Sequence, residues 1–139
     1  MRSPALTVDV IIEFPDGSIV LIERGHEPYK GRLALPGGFV EYGERVEEAA
    51  VREAREETGL EIRLDRLVGV YSDPARDPRG HTVSVVYHAE PIGGVLAGGD
   101  DAARAVRTRA YLGRPLAFDH ARILRDAFGD RRADGTPEA

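Results

Sequence analysis

Three glutamates, Glu53, Glu56 and Glu57, stand at i, i+3 and i+4, so on a helix they share one face within a turn of each other. Like charges at that spacing repel by roughly 0.2–0.5 kcal/mol per pair, and a divalent cation is the simplest way to turn the repulsion into binding. Oxygen ligands with no Cys or His among them suit a hard ion, Mg²⁺ or Mn²⁺, better than zinc. An exposed, salt-bridged helix accounts for the same run, because Glu, Ala and Arg are good helix formers and Arg45, Arg52 and Arg55 can pair with the acids. On the carboxylates alone, both readings stand.

The elements that must hold these groups follow from the residues on either side. A helix from about Val46 to Thr58 places Val46, Ala50 and Ala54 at i, i+4 and i+8, an apolar stripe that docks on a sheet and leaves the glutamates facing solvent. Gly59 closes it where a left-handed cap is expected. Upstream, Leu6 to Phe14 and Ile19 to Glu23 read as strands joined through Pro15-Asp16-Gly17-Ser18 into a hairpin. After a loop from Arg24 to Arg32, Leu33 to Leu35 reads as a short strand, and Pro36-Gly37-Gly38 leads into the glutamate run. Downstream, Ile62 to Tyr71 and Thr82 to Ala89 read as strands, with a loop of two Pro and one Gly between them. Gly93-Gly94 and Gly98-Gly99 predict loops, Ala105 to Leu112 a returning strand, and Asp119 the cap of a helix from His120 to Phe128. The chain reads as one α/β domain over 1–130, with a polar tail at 131–139.

Taken whole, Gly38 to Leu60 resembles the Nudix box, whose pattern is G-x5-E-x7-R-E-U-x-E-E-x-G-U with U aliphatic. Gly38, Glu44, Arg52, Glu53, Glu56, Glu57, Gly59 and Leu60 fill its fixed positions, and Ala54 stands at the first U. The resemblance implies a Nudix-type α/β/α sandwich with a mixed central β-sheet. It implies a metal shell of Glu53, Glu56 and Glu57 with the Gly37 carbonyl, although such a carbonyl suits a plain turn equally well. It also implies that Glu44 and Arg52 brace loop and helix through an ion pair, and that Glu53, Glu56 or an acid outside the box, Asp101, takes a proton. Two Asp after two Gly, as at 100 and 101, are equally at home in a turn.

The loop from Tyr71 to His81 resembles that of the ADP-ribose pyrophosphatases of the family, chiefly in Arg76-Asp77-Pro78-Arg79-Gly80-His81 and in the position of Pro74. On that resemblance Arg76 and Arg79 supply forked donors to phosphate or ribose oxygens, while Asp77 and Ser84 accept from sugar hydroxyls. A polar connection between strands explains the composition as well.

Composition narrows the setting. No Cys is present, which removes thiol catalysis and disulfides, and no apolar run approaches the ~18 residues that span a bilayer. A net charge of -5 argues against a nucleic-acid partner but says little about small phosphorylated ligands, which need only local positive charge. The four His show no metal-ligand spacing and read as surface or satisfied core groups. The expectation is a cytoplasmic Mg²⁺-dependent pyrophosphohydrolase acting on a nucleoside diphosphate derivative, ADP-ribose before others, without a membrane partner. Homodimerisation is implied by the resemblance alone. A nucleoside triphosphate pyrophosphatase and a non-catalytic nucleotide sensor are the alternatives.

Overall fold

A computed structural model describes residues 2–97 and 102–129; Asp101, Gly98-Gly99 and the 131–139 tail lie outside the described residues. The elements are β1 (Ala5–Ile12), β2 (Ile19–Arg24), β3 (Leu33–Ala34), β4 (Gly37–Phe39), α1 (Val46–Thr58), β5 (Leu60–Tyr71), β6 (Thr82–Gly94), β7 (Ala102–Thr108) and α2 (His120–Phe128). One sheet has the order β4-β1-β6-β5 and is mixed, β1 and β6 being parallel and the other pairs antiparallel. The second, antiparallel sheet has the order β3-β2-β7. With α1 and α2 packed on them, the sheets form an α/β/α sandwich.

β1 runs through the centre of the molecule, and its apolar sequence follows from that position. A strand buried on both faces reads as a nearly continuous hydrophobic run. Alternation sends Val8, Val10 and Ile12 into the core formed with Ala49, Ala50 and Ala54 of α1. Ile11 packs on the other side with Val86 of β6 and Ile123 and Leu124 of α2. Asp9 keeps the same parity as Ile11, so its carboxyl is carried toward the α2 side.

The expected hairpin of the first two strands does not form. Only Glu13 and Ile19 bridge beside the turn, after which β1 and β2 enter different sheets. β1 gives one edge to β4 and the other to β6, so neither is left for β2. β4 went unread because three residues, two of them Gly, carry no strand signal. β6 runs past Ala89 to Gly94 because Gly93 and Gly94 pair with Glu61 and Leu60. β7 begins earlier than expected and ends at Thr108, which leaves Tyr111 to fill the core beside α2. Asp119 does precede α2 but makes no cap hydrogen bond, since its carboxylate is engaged by Arg76.

Small residues let α1 approach the sheet closely: Ala49, Ala50 and Ala54 are fully buried. Its far end is held by Gly59, whose φ of 76° lies in the left-handed region and whose N–H donates to the Arg55 carbonyl at 2.9 Å. A Cβ at Gly59 would collide with the Val95 carbonyl oxygen. Gly59→Ala should therefore cost about 2 kcal/mol or more, the left-handed penalty plus the clash. Chemical denaturation is the measurement, and a midpoint equal to that of the parent protein would contradict this account of the helix end.

Candidate functional site

The acidic face of α1 is organised by one cation. Arg52 grips Glu44 through Nε (2.7 Å) and Nη2 (3.0 Å), and Nη2 also donates to the Phe39 carbonyl at 3.0 Å. The expected bracing of loop to helix is thus seen as a forked pair, and Arg52 holds the Glu44 carboxyl well below the usual range. Its third nitrogen, Nη1, donates to Glu53 at 2.7 Å and to Glu56 at 3.1 Å. Arg52 therefore occupies, as an internal cation, the space where two of the three glutamates meet.

Glu57 is different. It is partly buried rather than solvent-facing as the helical pattern suggested, and the backbone of Gly37 bonds to it. Its Oε2 is buried with no hydrogen-bond partner among the described residues. Burial first, and then the Glu53 charge, push its pKa up from 4.5 to about 8. Burial raises Glu53 as well, against the bond from Arg52. Gly38 makes this crowding feasible: a Cβ there would stand 2.6 Å from the Glu53 carboxyl carbon.

An orphaned carboxylate oxygen beside two further carboxylates fits a hard divalent cation, with Glu53, Glu56, Glu57 and the Gly37 carbonyl as the oxygen donors at hand. The set is not closed in advance. Among the described residues no three acidic or imidazole groups converge as a ready cation site, and Glu56, whose side chain is 57% exposed, is bonded to Arg52.

These groups form one end of a cleft of about 530 Å³ that also reaches Arg76, Asp77 and Arg79. The loop residues play unequal parts. Arg79 is half-exposed and bonded to Asp77 through Nε (3.1 Å) and Nη2 (2.8 Å), so its charge stands at the cleft surface. Burial of Asp77 works against its ionisation, but side-chain and backbone bonds from Arg79 outweigh it and hold the carboxyl below its ordinary value. Arg76 lies in the wall with its guanidinium forked onto Asp119 at 2.8 and 3.0 Å and bonded to Thr82 at 2.8 Å. That role is structural, and few donors are left for a ligand. Ser84 corrects the sequence reading: it is fully buried and does not line the cleft, because its hydroxyl donates to Asp9 at 2.5 Å.

Asp9 and His120 were not among the expected site residues, yet both line the cleft. His120 Nδ1 accepts the Leu35 N–H at 3.0 Å, and Nε2 lies 3.6 Å from Asp9 Oδ1. Burial lowers the His120 pKa and raises that of Asp9. A neutral imidazole that accepts at Nδ1 carries its proton at Nε2, on the side of Asp9. A single acidic residue inside the apolar run Val8 to Ile12 was the available signal for Asp9; nothing in spacing marked His120. Arg24, Phe39 and Phe118, also in the wall, went unread because they stand far apart in the chain.

Comparison with known proteins agrees with this architecture. Residues 3–127 match the family model of the NUDIX domain. An ADP-ribose pyrophosphatase of Methanocaldococcus jannaschii is 54% identical over 123 residues, covering 88% of this chain and 72% of that one. An ADPR responsive transcriptional repressor of Acinetobacter baylyi is 34% identical over 135 residues, covering 91% of this chain and 54% of its own, so this chain spans about half of it. Among solved structures, the NUDIX domain of Shewanella oneidensis NrtR complexed with ADP ribose has a TM-score of 0.80 at 25% identity, covering 91% of this chain and 88% of that one.

The state of Glu57 has a measurable consequence. Its folded value of about 8 lies above the 4.5 of an unperturbed Glu, so between those limits the folded protein keeps a proton that the unfolded chain has released. Metal-free stability should fall as pH rises through that window. Thermal melts in chelating buffer should show this decline, and Glu57→Gln should flatten it; an identical slope in the variant would contradict the assignment. Divalent cation affinity should rise over the same window, one proton leaving as the ion binds.

Proposed function

This chain belongs to the NUDIX family and is a Nudix hydrolase, and we propose that it hydrolyses ADP-ribose to AMP and ribose 5-phosphate with a divalent cation, Mg²⁺ or in its place Mn²⁺. The observation that carries the reading is that one cleft joins the α1 carboxylates, with their orphaned Glu57 oxygen, to the forked charge of Arg79. The identity with the Methanocaldococcus enzyme supports the choice of substrate.

A divalent cation on Gly37, Glu53, Glu56 and Glu57 supplies charge neutralisation at the pyrophosphate and a water of lowered pKa. The chain's own residues do the rest. Glu53 or Glu56 accepts the proton of the attacking water, and Asp101, outside the described residues, is the third candidate for that part. Burial makes Glu53 more basic than a surface carboxylate, which favours it in this role. Arg79 offers forked donors to the substrate's phosphate or ribose oxygens, and Asp77 holds Arg79 in place through its two oxygens. Arg76 contributes by fixing the loop against Asp119 rather than by direct contact.

In this reading residues 1–130 act as one domain with 131–139 as a polar tail, and the protein is a cytoplasmic homodimer without nucleic-acid or membrane partners. No helix among the described residues is long and apolar enough to cross a membrane. A second reading, a sensor that binds ADP-ribose without cleaving it, is favoured by the likeness to the Acinetobacter repressor. The intact carboxylates favour turnover, since a sensor has no use for them.

The deciding experiment offers ADP-ribose, NADH, diadenosine polyphosphates, dGTP and 8-oxo-dGTP to the purified protein with Mg²⁺ and identifies the products. AMP and ribose 5-phosphate, formed faster than any other product, are expected. Pyrophosphate released from a triphosphate at a higher rate would replace the substrate, and binding without turnover would make the protein a sensor. Glu57→Gln should lose most turnover. Arg79→Ala should raise KM for ADP-ribose about tenfold, one charge-assisted hydrogen-bonding group being worth ~1.5–3 kcal/mol in full and less in a half-exposed setting. An unchanged KM would reduce the loop to a connector.

A further inference from the structure

Phe118 directly precedes the Asp119 that accepts both bonds of the Arg76 fork and stands two residues before the His120 that faces Asp9. It is also one of two non-glycine residues, among those described, with a left-handed backbone, at φ 54°. The other is Tyr29, at φ 62°, and the two rings meet edge to face with centroids 4.9 Å apart. Such a conformation costs of order 1–3 kcal/mol for a bulky residue and persists only where the surroundings over-determine it. Both costs fall on one contact, which joins the loop after β2 to the segment before α2.

The ring so placed has two cations beside it. Arg24 Cζ lies 4.9 Å from the Phe118 centroid and Arg79 Cζ lies 5.6 Å from it. Arg24 is oriented by Nε, which donates to the Pro28 carbonyl at 2.7 Å, and it lines the same cleft as Arg79. The two guanidiniums feel each other's charge, and Arg24 also feels Glu57, Asp77 and Asp9. Arg24 thus stands electrostatically between the carboxylate end of the cleft and the loop end. Like charges gathered in one wall need an attraction that offsets their repulsion. An aromatic face supplies ~0.5–2 kcal/mol per cation, and more as water is excluded.

We propose that Phe118 is a positioning residue that holds Arg24 and Arg79 together as a paired cation for the substrate's diphosphate, Arg24 serving as the donor nearer the carboxylates. The inference rests on the reading of the cleft as a site for a nucleoside diphosphate derivative. Two adjacent phosphoryl groups present more acceptors than one guanidinium can satisfy, and a second fork matches the second group. Binding a dianion also relieves the repulsion within the pair, so affinity depends steeply on ionic strength.

Inorganic pyrophosphate is the probe, because it carries the diphosphate without nucleoside or ribose. Its binding to the full chain in Mg²⁺ buffer is followed by calorimetry at several salt concentrations, beside steady-state kinetics with ADP-ribose. Phe118→Leu keeps apolar bulk and removes the ring, whereas Phe118→Tyr keeps the ring. Loss of two cation–π contacts predicts a pyrophosphate Kd and an ADP-ribose KM each about tenfold higher in Phe118→Leu, with kcat within about threefold of the parent. Phe118→Tyr should restore both constants. Arg24→Gln should weaken pyrophosphate binding and flatten its salt dependence, a result that is read even where Phe118→Leu fails to fold.

Unchanged constants in Phe118→Leu, equal impairment in Phe118→Tyr, unaltered binding in Arg24→Gln, or no pyrophosphate binding by the parent protein would each overturn the proposal. Pyrophosphate binding that weakens as expected in a protein that leaves ADP-ribose intact would sustain the paired cation and remove only the assigned substrate.

Discussion

The rest of the structure depends on how one helix tolerates the charge on its acidic face. Glu53, Glu56 and Glu57 lie within a turn of each other, and two devices keep the helix folded in spite of them. Arg52 neutralises from outside, with its three nitrogens spread over Glu44, Glu53, Glu56 and a backbone carbonyl. Protonation neutralises from inside, since burial keeps a proton on Glu57 to about pH 8. The first device ties the preceding loop to the helix. The second leaves one buried oxygen without a partner among the described residues, a group whose desolvation is unfavourable until a ligand satisfies it.

Around this helix the chain divides its work between two ends of one cleft. The carboxylate end is built from residues close in sequence, α1 and the β4 strand that leads to it. The other end gathers groups from the loop after β2, the 72–81 loop and the segment before α2. Between them lies the buried layer of Asp9, Ser84 and His120, which faces neither end fully and touches both. Its polar atoms are paired with each other or with backbone, as low dielectric requires.

What could be read in advance follows this division. α1 was legible to the residue, because helical periodicity, a small-residue stripe and a capping glycine all lie within one short segment. The Glu44–Arg52 brace was legible through resemblance. β2 and α2 were found where their apolar patterns placed them. The pairing of β1 was not, because an alternating or continuous run says how many faces are buried but not which neighbours take the edges. Ser84 illustrates the same limit. Its residue type and neighbourhood suited a sugar contact, and only the parallel pairing of β1 with β6 shows that it faces Asp9 instead. Asp9, Arg24 and the Phe118 to His120 stretch belong to three separate segments, and no local pattern joins them.

The parallel pairing of β1 with β6 has a further consequence, for the order in which the molecule is made. A parallel pair needs a long crossover, and here Ser84 meets Asp9 across 75 positions of chain. Contacts of such separation form late, because loop-closure entropy must be overcome before they contribute. His120 meets Leu35 across 85 positions and closes the same layer. The acidic helix, by contrast, is local and can form early. A chain in which only the local helix has formed has the carboxylates but not the wall that would place a substrate against them, so the site is complete only when these long-range contacts are made.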